Sequence, residues 1–181
     1  FMDGFIHRQD NNYQYIQKEG NPIDCNDVIK EVKNIPNKGV TESLIEAFEK
    51  FKEIKGLDFL EVENCSFFKY GEHSGASPDG LVSDNSVLEI KCPKSTTFFE
   101  LVATNEIDKK YFAQMQHQML CSNREKAYFF NYLIHDGTEY YHTIEVDRCE
   151  KTIELIKERL DEVIKIKLEY INLINNNKQW K

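Results

Sequence analysis

Asp79, Glu89 and Lys91 are the residues whose types and spacing are best suited to chemistry. Glu89 and Lys91 alternate along a strand-like run, so their side chains share one face. Turn-forming residues at 83–86 predict a hairpin, which would bring Asp79 beside that face. Magnesium prefers oxygen ligands and often takes one or two carboxylates, and the backbone carbonyl of Ile90 would add a third oxygen. The spacing therefore predicts a divalent-cation site with a lysine beside it.

A cation held in this way suits the attack of water on a phosphate ester. The metal would stabilise charge on the phosphate and activate a water molecule. Lys91 would orient or deprotonate that water, or neutralise the transition state. A glutamate and a lysine two positions apart are also common as an exposed pair on a strand. The Pro78-Asp79 pair upstream, on the other side of the predicted hairpin, favours the catalytic interpretation.

The elements that must position these residues follow from hydrophobic periodicity. Apolar residues recur at helical spacing in three segments, and alternating or aromatic-rich runs predict the strands between them. The predicted order is a helix at 41–54, strands at 60–70, 76–83 and 87–91, a helix at 108–122, strands at 127–134 and 139–146, and a helix at 148–174. This order predicts a mixed sheet with helices packed against it, in the α/β or α+β class.

Residues 1–38 are polar and asparagine-rich, and we expect an irregular lead-in there, with a short helix at 26–33. Residues 39–181 would form a single domain.

Composition excludes several classes of protein. The 181 residues are 40% hydrophobic, which is enough for a core, but no stretch approaches the ~20 apolar residues of a membrane span. The five cysteines lack the close pairs typical of zinc sites, and their odd number argues against a disulfide scaffold. We therefore expect a cytoplasmic, intracellular protein, in the host cell if it is viral. The net charge of −8 would repel a polyanion, so nucleic-acid binding would depend on bound cations or a local basic patch.

The motif resembles a known nuclease family. Pro78-Asp79, nine residues and then Glu89-Ile90-Lys91 have the form of the PD-(D/E)xK signature. The longer runs GASPDG at 75–80 and LEIKCP at 88–93 resemble the YqaJ-type viral recombinase branch, which is lambda-exonuclease-like. The similarity continues through YFAQMQHQM at 111–119 and AYFFNY at 127–132, and covers roughly residues 39–175.

The resemblance implies a restriction-endonuclease-like core and assigns roles to particular residues. Asp79, Glu89 and Lys91 match the metal-binding and catalytic positions, and Gln114 matches a glutamine that faces the active site. Tyr111 matches a neighbouring aromatic residue and Ser77 a serine near the scissile end of the DNA, and both are expected to contact DNA. Lys94, which flanks the motif, would contact backbone phosphates.

An additional metal ligand is expected on the first core helix, because the family places a glutamate there. Glu42 is our choice, since it follows Gly39 at nearly the family's spacing, and Glu46, one turn later, is the alternative. Without this ligand the site would hold one metal ion rather than two.

The activity implied by the resemblance is that of a phage recombination-type 5′–3′ exonuclease on double-stranded DNA. It would use Mg²⁺, with Mn²⁺ as a substitute, and the implied partners are a single-strand annealing protein and two further copies in a trimer. An endonuclease or nickase on the same core is an alternative, because residues 1–40 lack the family's Arg-x-Gly segment that grips a 5′ phosphate. A second alternative is a non-catalytic DNA-binding or assembly module. The two close carboxylates argue against it, because they repel each other without a cation.

Overall fold

The structure, a computed structural model, describes residues 4–9, 12–17, 23–24, 40–64 and 67–177. Four helices are described: α1 (Val40–Gly56), α2 (Ser95–Thr104), α3 (Lys109–Ser122) and α4 (Glu150–Asn176). The strands are β1 (Gly4–Gln9), β2 (Asn12–Gln17), β3 (Ile23–Asp24), β4 (Val62–Asn64), β5 (Phe68–Tyr70), β6 (Ser74–Ala76), β7 (Gly80–Val82), β8 (Ser86–Lys91), β9 (Lys126–His135) and β10 (Thr138–Asp147).

The largest described sheet has five strands in the order β10-β9-β8-β7-β4. Strands β8 and β9 are parallel, and the other neighbouring pairs are antiparallel. The tight β7–β8 hairpin pairs Val82 with Ser86, as the turn residues at 83–86 predict. In the parallel pair, Glu89 lies beside Phe129 and Lys91 beside Asn131. The motif residues of β8 therefore lie at a central position of a mixed sheet.

Helices cover both faces of this sheet. On one face, α1 packs Phe51 against Leu88 and Phe130 in a buried cluster. On the other face, α3 packs Met115 and Met119 against alternate residues of the strands, including Val87 and Phe129. Because β8 is covered on both sides, its residues 86–90 are all buried. The predicted mixed sheet flanked by helices is confirmed.

Two features differ from the expected element order. Helix α2 is not predicted from the sequence. Its first residues, Ser95, Thr96 and Thr97, are polar residues of low helix propensity, and its first turn contains no acidic residue. The segment predicted as a single strand at 60–70 contains β4 and β5, whereas the strand predicted at 76–83 is the shorter β7, preceded by β6. Strands β5 and β6 pair in a separate small sheet. Both segments have a strand-like composition, and composition alone does not show where a chain changes its partner strand.

The expected irregular lead-in contains strands. Strands β1, β2 and β3 form an antiparallel three-stranded sheet, in which Gln9 pairs with Asn12. The isoleucines and aromatic residues of 5–16 favour strands, and the many polar residues between them conceal that tendency. The helix predicted at 26–33 lies outside the described residues, and the boundary at residue 38 stays a prediction.

Among the described residues, no helix combines the length and the apolar composition that a membrane span requires.

Candidate active site

Asp79 immediately precedes β7, at the open end of the β7–β8 hairpin. Its backbone N–H donates to the carbonyl of Leu88 at 2.9 Å, and its carboxylate accepts the N–H of Ile90 at 2.7 Å. The Asp79 side chain thus takes the place of a backbone acceptor opposite Ile90, just where the ladder between the strands ends. Asp79 also lines a cavity of about 190 Å³ between this hairpin and α1.

The environment of Asp79 disfavours its negative charge. Burial raises the pKa of the Asp79 carboxyl, and the charge of Glu89 raises it further. The hydrogen bond from Ile90 and the charge of Lys91 act in the opposite direction, but they do not outweigh burial. The two carboxylates are therefore close enough to repel each other, which is an arrangement that a bound cation would relieve.

Glu89 contacts α3 and is only 2% exposed. Its Oε1 accepts from the Lys91 ammonium and from Gln114 Nε2, the latter at 2.8 Å. Its Oε2 accepts from Gln118 Nε2 at 2.6 Å. A buried carboxylate is costly unless it is paired and hydrogen-bonded, and here both oxygens have donors. Glu89 is consequently held in one orientation.

Lys91 lies at the accessible end of this group, with 27% of its side chain exposed. Its ammonium forms the ion pair with Glu89 and also lies 5.0 Å from the ring centroid of Tyr111. The Tyr111 ring is contacted by a second ammonium, that of Lys110, at 4.7 Å. Tyr111 thus makes a cation–π contact with Lys91, and its expected contact with DNA stays a prediction.

Helix α3 supplies the side chains that hold Glu89. Gln114 and Gln118 are four residues apart, so they lie one above the other on the same helix face. The resemblance singled out Gln114, and the structure brings it to Glu89 as expected of a residue facing the site. Gln118 was not among the residues predicted from the sequence, although its spacing of four residues from Gln114 is a signal for it.

The candidate third ligands remain apart from this group. Glu42 and Glu46 are both exposed on α1. The described residues contain no group of three or more His, Cys, Asp and Glu side chains that could hold a metal ion. Burial raises the pKa of the Cys92 thiol most, and the charges of Asp79 and Glu46 raise it further. Glu46 and Asp79 therefore both act on the same thiol. The role of either glutamate stays a prediction.

Two predicted DNA contacts lie on the surface near the motif. Ser77 is exposed, two residues before Asp79. Lys94 is also exposed and precedes the first turn of α2, where its carbonyl accepts the N–H of Phe98 at 2.9 Å. Both side chains are accessible to a substrate, and their roles stay predictions.

The donor set fits a hard divalent cation. Asp79 and Glu89 supply carboxylate oxygens from one end of one hairpin, where burial and, to a smaller extent, the charge of Glu89 raise the pKa of Asp79. Magnesium commonly uses one or two protein carboxylates and completes its shell with water and phosphate oxygens. Asp79 and Glu89 would be the two carboxylates of such a site, and that role stays a prediction.

Comparison with known proteins agrees with the motif. Residues 41–125 match the family model of the YqaJ-like viral recombinase domain. This segment contains the hairpin with Asp79, Glu89 and Lys91, and also all of α3. No sequence among the curated proteins matches the chain significantly.

Solved structures of exonucleases share the fold. The alkaline exonuclease LHK-Exo from Laribacter hongkongensis is similar with a TM-score of 0.68 and 27% identity, over 78% of this chain and 73% of that chain. Its complex with dAMP gives the same TM-score and coverage at 26% identity. A phage-related exonuclease from Haemophilus somnus 129PT has a TM-score of 0.53 at 15% identity, over 87% of both chains, which shows the fold alone.

The fold and the motif together define the class of this domain as nuclease-like. Residues 41–125 are similar to the YqaJ-like viral recombinase domain, and the predicted resemblance to this lambda-exonuclease-like branch is confirmed.

Proposed function

We propose that this protein is a divalent-metal-dependent exonuclease that hydrolyses phosphodiester bonds of double-stranded DNA. The observation that carries the proposal is the hydrogen-bonded group of Glu89, Lys91 and Gln114, with Asp79 beside it, inside the YqaJ-like segment. The similarity to an alkaline exonuclease over 78% of the chain supports hydrolysis from DNA ends.

Each residue has a role in this proposal. Asp79 and Glu89 would hold Mg²⁺, or Mn²⁺ in its place, with the carbonyl of Ile90 as a further oxygen donor. The chemistry that the metal supplies when bound is charge stabilisation on the phosphate and a more acidic water. Lys91 neutralises charge that develops on the phosphate, and its contact with Tyr111 limits the positions that its ammonium adopts. Gln114 keeps Glu89 oriented.

The decisive experiment incubates the protein and Mg²⁺ with a linear duplex bearing 5′ phosphates and with a closed circular duplex. We expect mononucleotides from the linear DNA alone, and no hydrolysis when a chelator removes the metal. Lys91→Met should lower the rate at least about 100-fold, since charge stabilisation and proton transfer are each worth that much.

Lys50→Met is the matched control. Lys50 is also partly buried and ion-paired, with its Nζ 2.8 Å from Glu139 and 3.0 Å from Glu53, but it lies outside the group around Glu89. This variant should keep the wild-type rate. Cleavage of the circle would change the assignment to an endonuclease or nickase. Loss of neither substrate with Mg²⁺ or Mn²⁺ would leave a non-catalytic module and contradict the proposal.

The finer assignments come from the resemblance. They are 5′–3′ polarity, a trimer and a single-strand annealing protein as partner. Labelling one 5′ or one 3′ end of the linear duplex tests polarity in the same experiment, because a 5′–3′ enzyme releases the 5′ label first.

A further inference from the structure

We propose that Gln118 is a positioning residue that fixes the orientation of the Glu89 carboxylate toward the cation. This inference rests on the proposed function, since it assumes that Glu89 is a metal ligand. Gln118 donates to Oε2 of Glu89 at 2.6 Å, while Lys91 and Gln114 donate to Oε1. The glutamate is therefore held by different donors at its two oxygens.

The contacts distinguish the two oxygens of Glu89. Oε1 is shared with Lys91, whose side chain is 27% exposed, so it lies on the accessible side. Oε2 is bonded by Gln118, which is 2% exposed and lies within the buried face of α3. Rotation of the carboxylate would break both amide contacts at once. Gln118 thus keeps Oε1 directed toward Lys91 and the site.

The amide of Gln118 is satisfied only in part. Its Nε2 reaches Glu89, but its Oε1 is buried without a hydrogen-bond partner among the described residues. Turning the amide over would place that oxygen against the carboxylate, which would repel it. The observed orientation of the amide provides a donor to Glu89 and leaves Oε1 of Gln118 without a partner among the described residues. This is expected of a side chain whose role is to hold the glutamate.

Gln116 on the same helix shows the contrasting, structural pattern. It is 0% exposed, its Nε2 donates to the carbonyl of Asp147 at 2.9 Å, and its Oε1 accepts the N–H of Cys149 at 2.8 Å. Both ends of this amide are used to join α3 to the segment before α4. Gln116 therefore offers a matched control, because it is equally buried and does not contact Glu89.

The test measures Mn²⁺ binding by electron paramagnetic resonance, in which free Mn²⁺ is titrated against the full chain without DNA. The variants are Gln118→Met and Gln116→Met, which replace an amide by an apolar side chain of similar length. We expect Gln118→Met to weaken Mn²⁺ affinity about 10-fold or more, as loss of a group that orients a ligand does. Gln116→Met should change the affinity less than about twofold, although it should lower Tm. Asp79→Asn should remove the binding and so locate the titrated ion.

Equal Mn²⁺ affinity in Gln118→Met and the wild type would overturn the inference, as would an equal loss in Gln116→Met. If Gln118→Met does not fold, Gln118→Asn takes its place in the test. The asparagine side chain is one methylene too short for its amide to reach Glu89, so the same loss of Mn²⁺ affinity is expected. A wild-type protein that binds Mn²⁺ through Asp79 but cuts no DNA would contradict the proposed function alone. A wild-type protein that binds no Mn²⁺ would contradict both.

Discussion

Glu89 is buried although it is charged, and three side-chain donors compensate for the lost water. One of them, Lys91, is two residues away, so alternation along a strand is enough to predict that both share a face. The others, Gln114 and Gln118, are 25 and 29 positions away in sequence. Residue types and local spacing identify the carboxylate, but its partners depend on which helix covers that face.

The cysteines allow a prediction on pH dependence. Burial raises the pKa of Cys121 to about 11, whereas hydrogen bonds from Thr152 lower the pKa of Cys149. The thiolate is the reactive form, so at pH 8 Cys121 should have about 100-fold less thiolate than a cysteine at its ordinary pKa of 9.0. Cys149 should have more thiolate than that cysteine.

Alkylation with iodoacetamide, followed by mass spectrometry of peptides, should therefore label Cys149 well before Cys121. The Cys121 rate should continue to rise about tenfold per pH unit above pH 9, where the Cys149 rate levels off. Cys92, whose pKa burial also raises, should react more slowly than Cys149. Equal rates for Cys121 and Cys149 at pH 8 would contradict the assigned environments.

At the scale of elements, β8 is packed between α1 and α3, and each helix lies beside a different carboxylate. Helix α3 contacts Glu89, whereas α1 forms one wall of the cavity that Asp79 lines. Hydrophobic periodicity predicts both helices and the hairpin close to their observed bounds, because a one-sided apolar stripe is a local property. It does not predict α2, or the division of the 60–70 segment.

The contact of α1 with β7 depends on the absence of a side chain at Gly80. A Cβ atom there would lie 2.9 Å from Phe48 Cε2, 3.0 Å from the carbonyl oxygen of Glu63 and 3.3 Å from Leu88 Cδ2. Gly80→Ala should therefore lower the free energy of unfolding by about 1–3 kcal/mol, the usual cost of overpacking. Because Asp79 is adjacent, Mn²⁺ affinity should fall as well.

Urea denaturation measures the first effect. Gly56→Ala is the control, since a Cβ at that position, at the end of α1, would meet no atom within 4 Å beyond its chain neighbours and the backbone of its own helix. That variant should be unchanged or slightly more stable, because alanine has the higher helix propensity. A Gly80→Ala protein as stable as the wild type would show that α1 can move away from β7 without cost.

At the scale of the whole molecule, the charge of −8 is unfavourable for a DNA-binding protein. In the proposed function, cations at Asp79 and Glu89 offset part of this charge, and the ammonium groups of Lys91 and Lys110 both contact the Tyr111 ring beside the motif. The positive charge available to DNA is thus local. The sequence gives the net charge, but which lysines accompany the carboxylates depends on the fold.

The end of α4 contributes little to the folded core. Ile153 is buried near its start, but every residue from 165 to 176 is exposed, including Ile166, Leu168 and Tyr170. A chain ending at Ile164 should therefore keep its Tm within about 2 °C at low protein concentration, because few apolar contacts are lost. Differential scanning calorimetry of the two chains makes this comparison. A fall of more than about 4 °C would show that this apolar face is covered in solution.

The sequence by itself determined the motif of Asp79, Glu89 and Lys91, the hairpin that carries it, the two principal helices and the fold class. These depend on residue type and on periods of two or 3.6 residues, which are set by local backbone geometry. The tertiary structure alone decided that Glu89 is buried, that Gln118 bonds it, and that Glu42 and Glu46 are not grouped with Asp79 and Glu89. Those outcomes depend on how distant elements pack, and packing is a property of the assembled core.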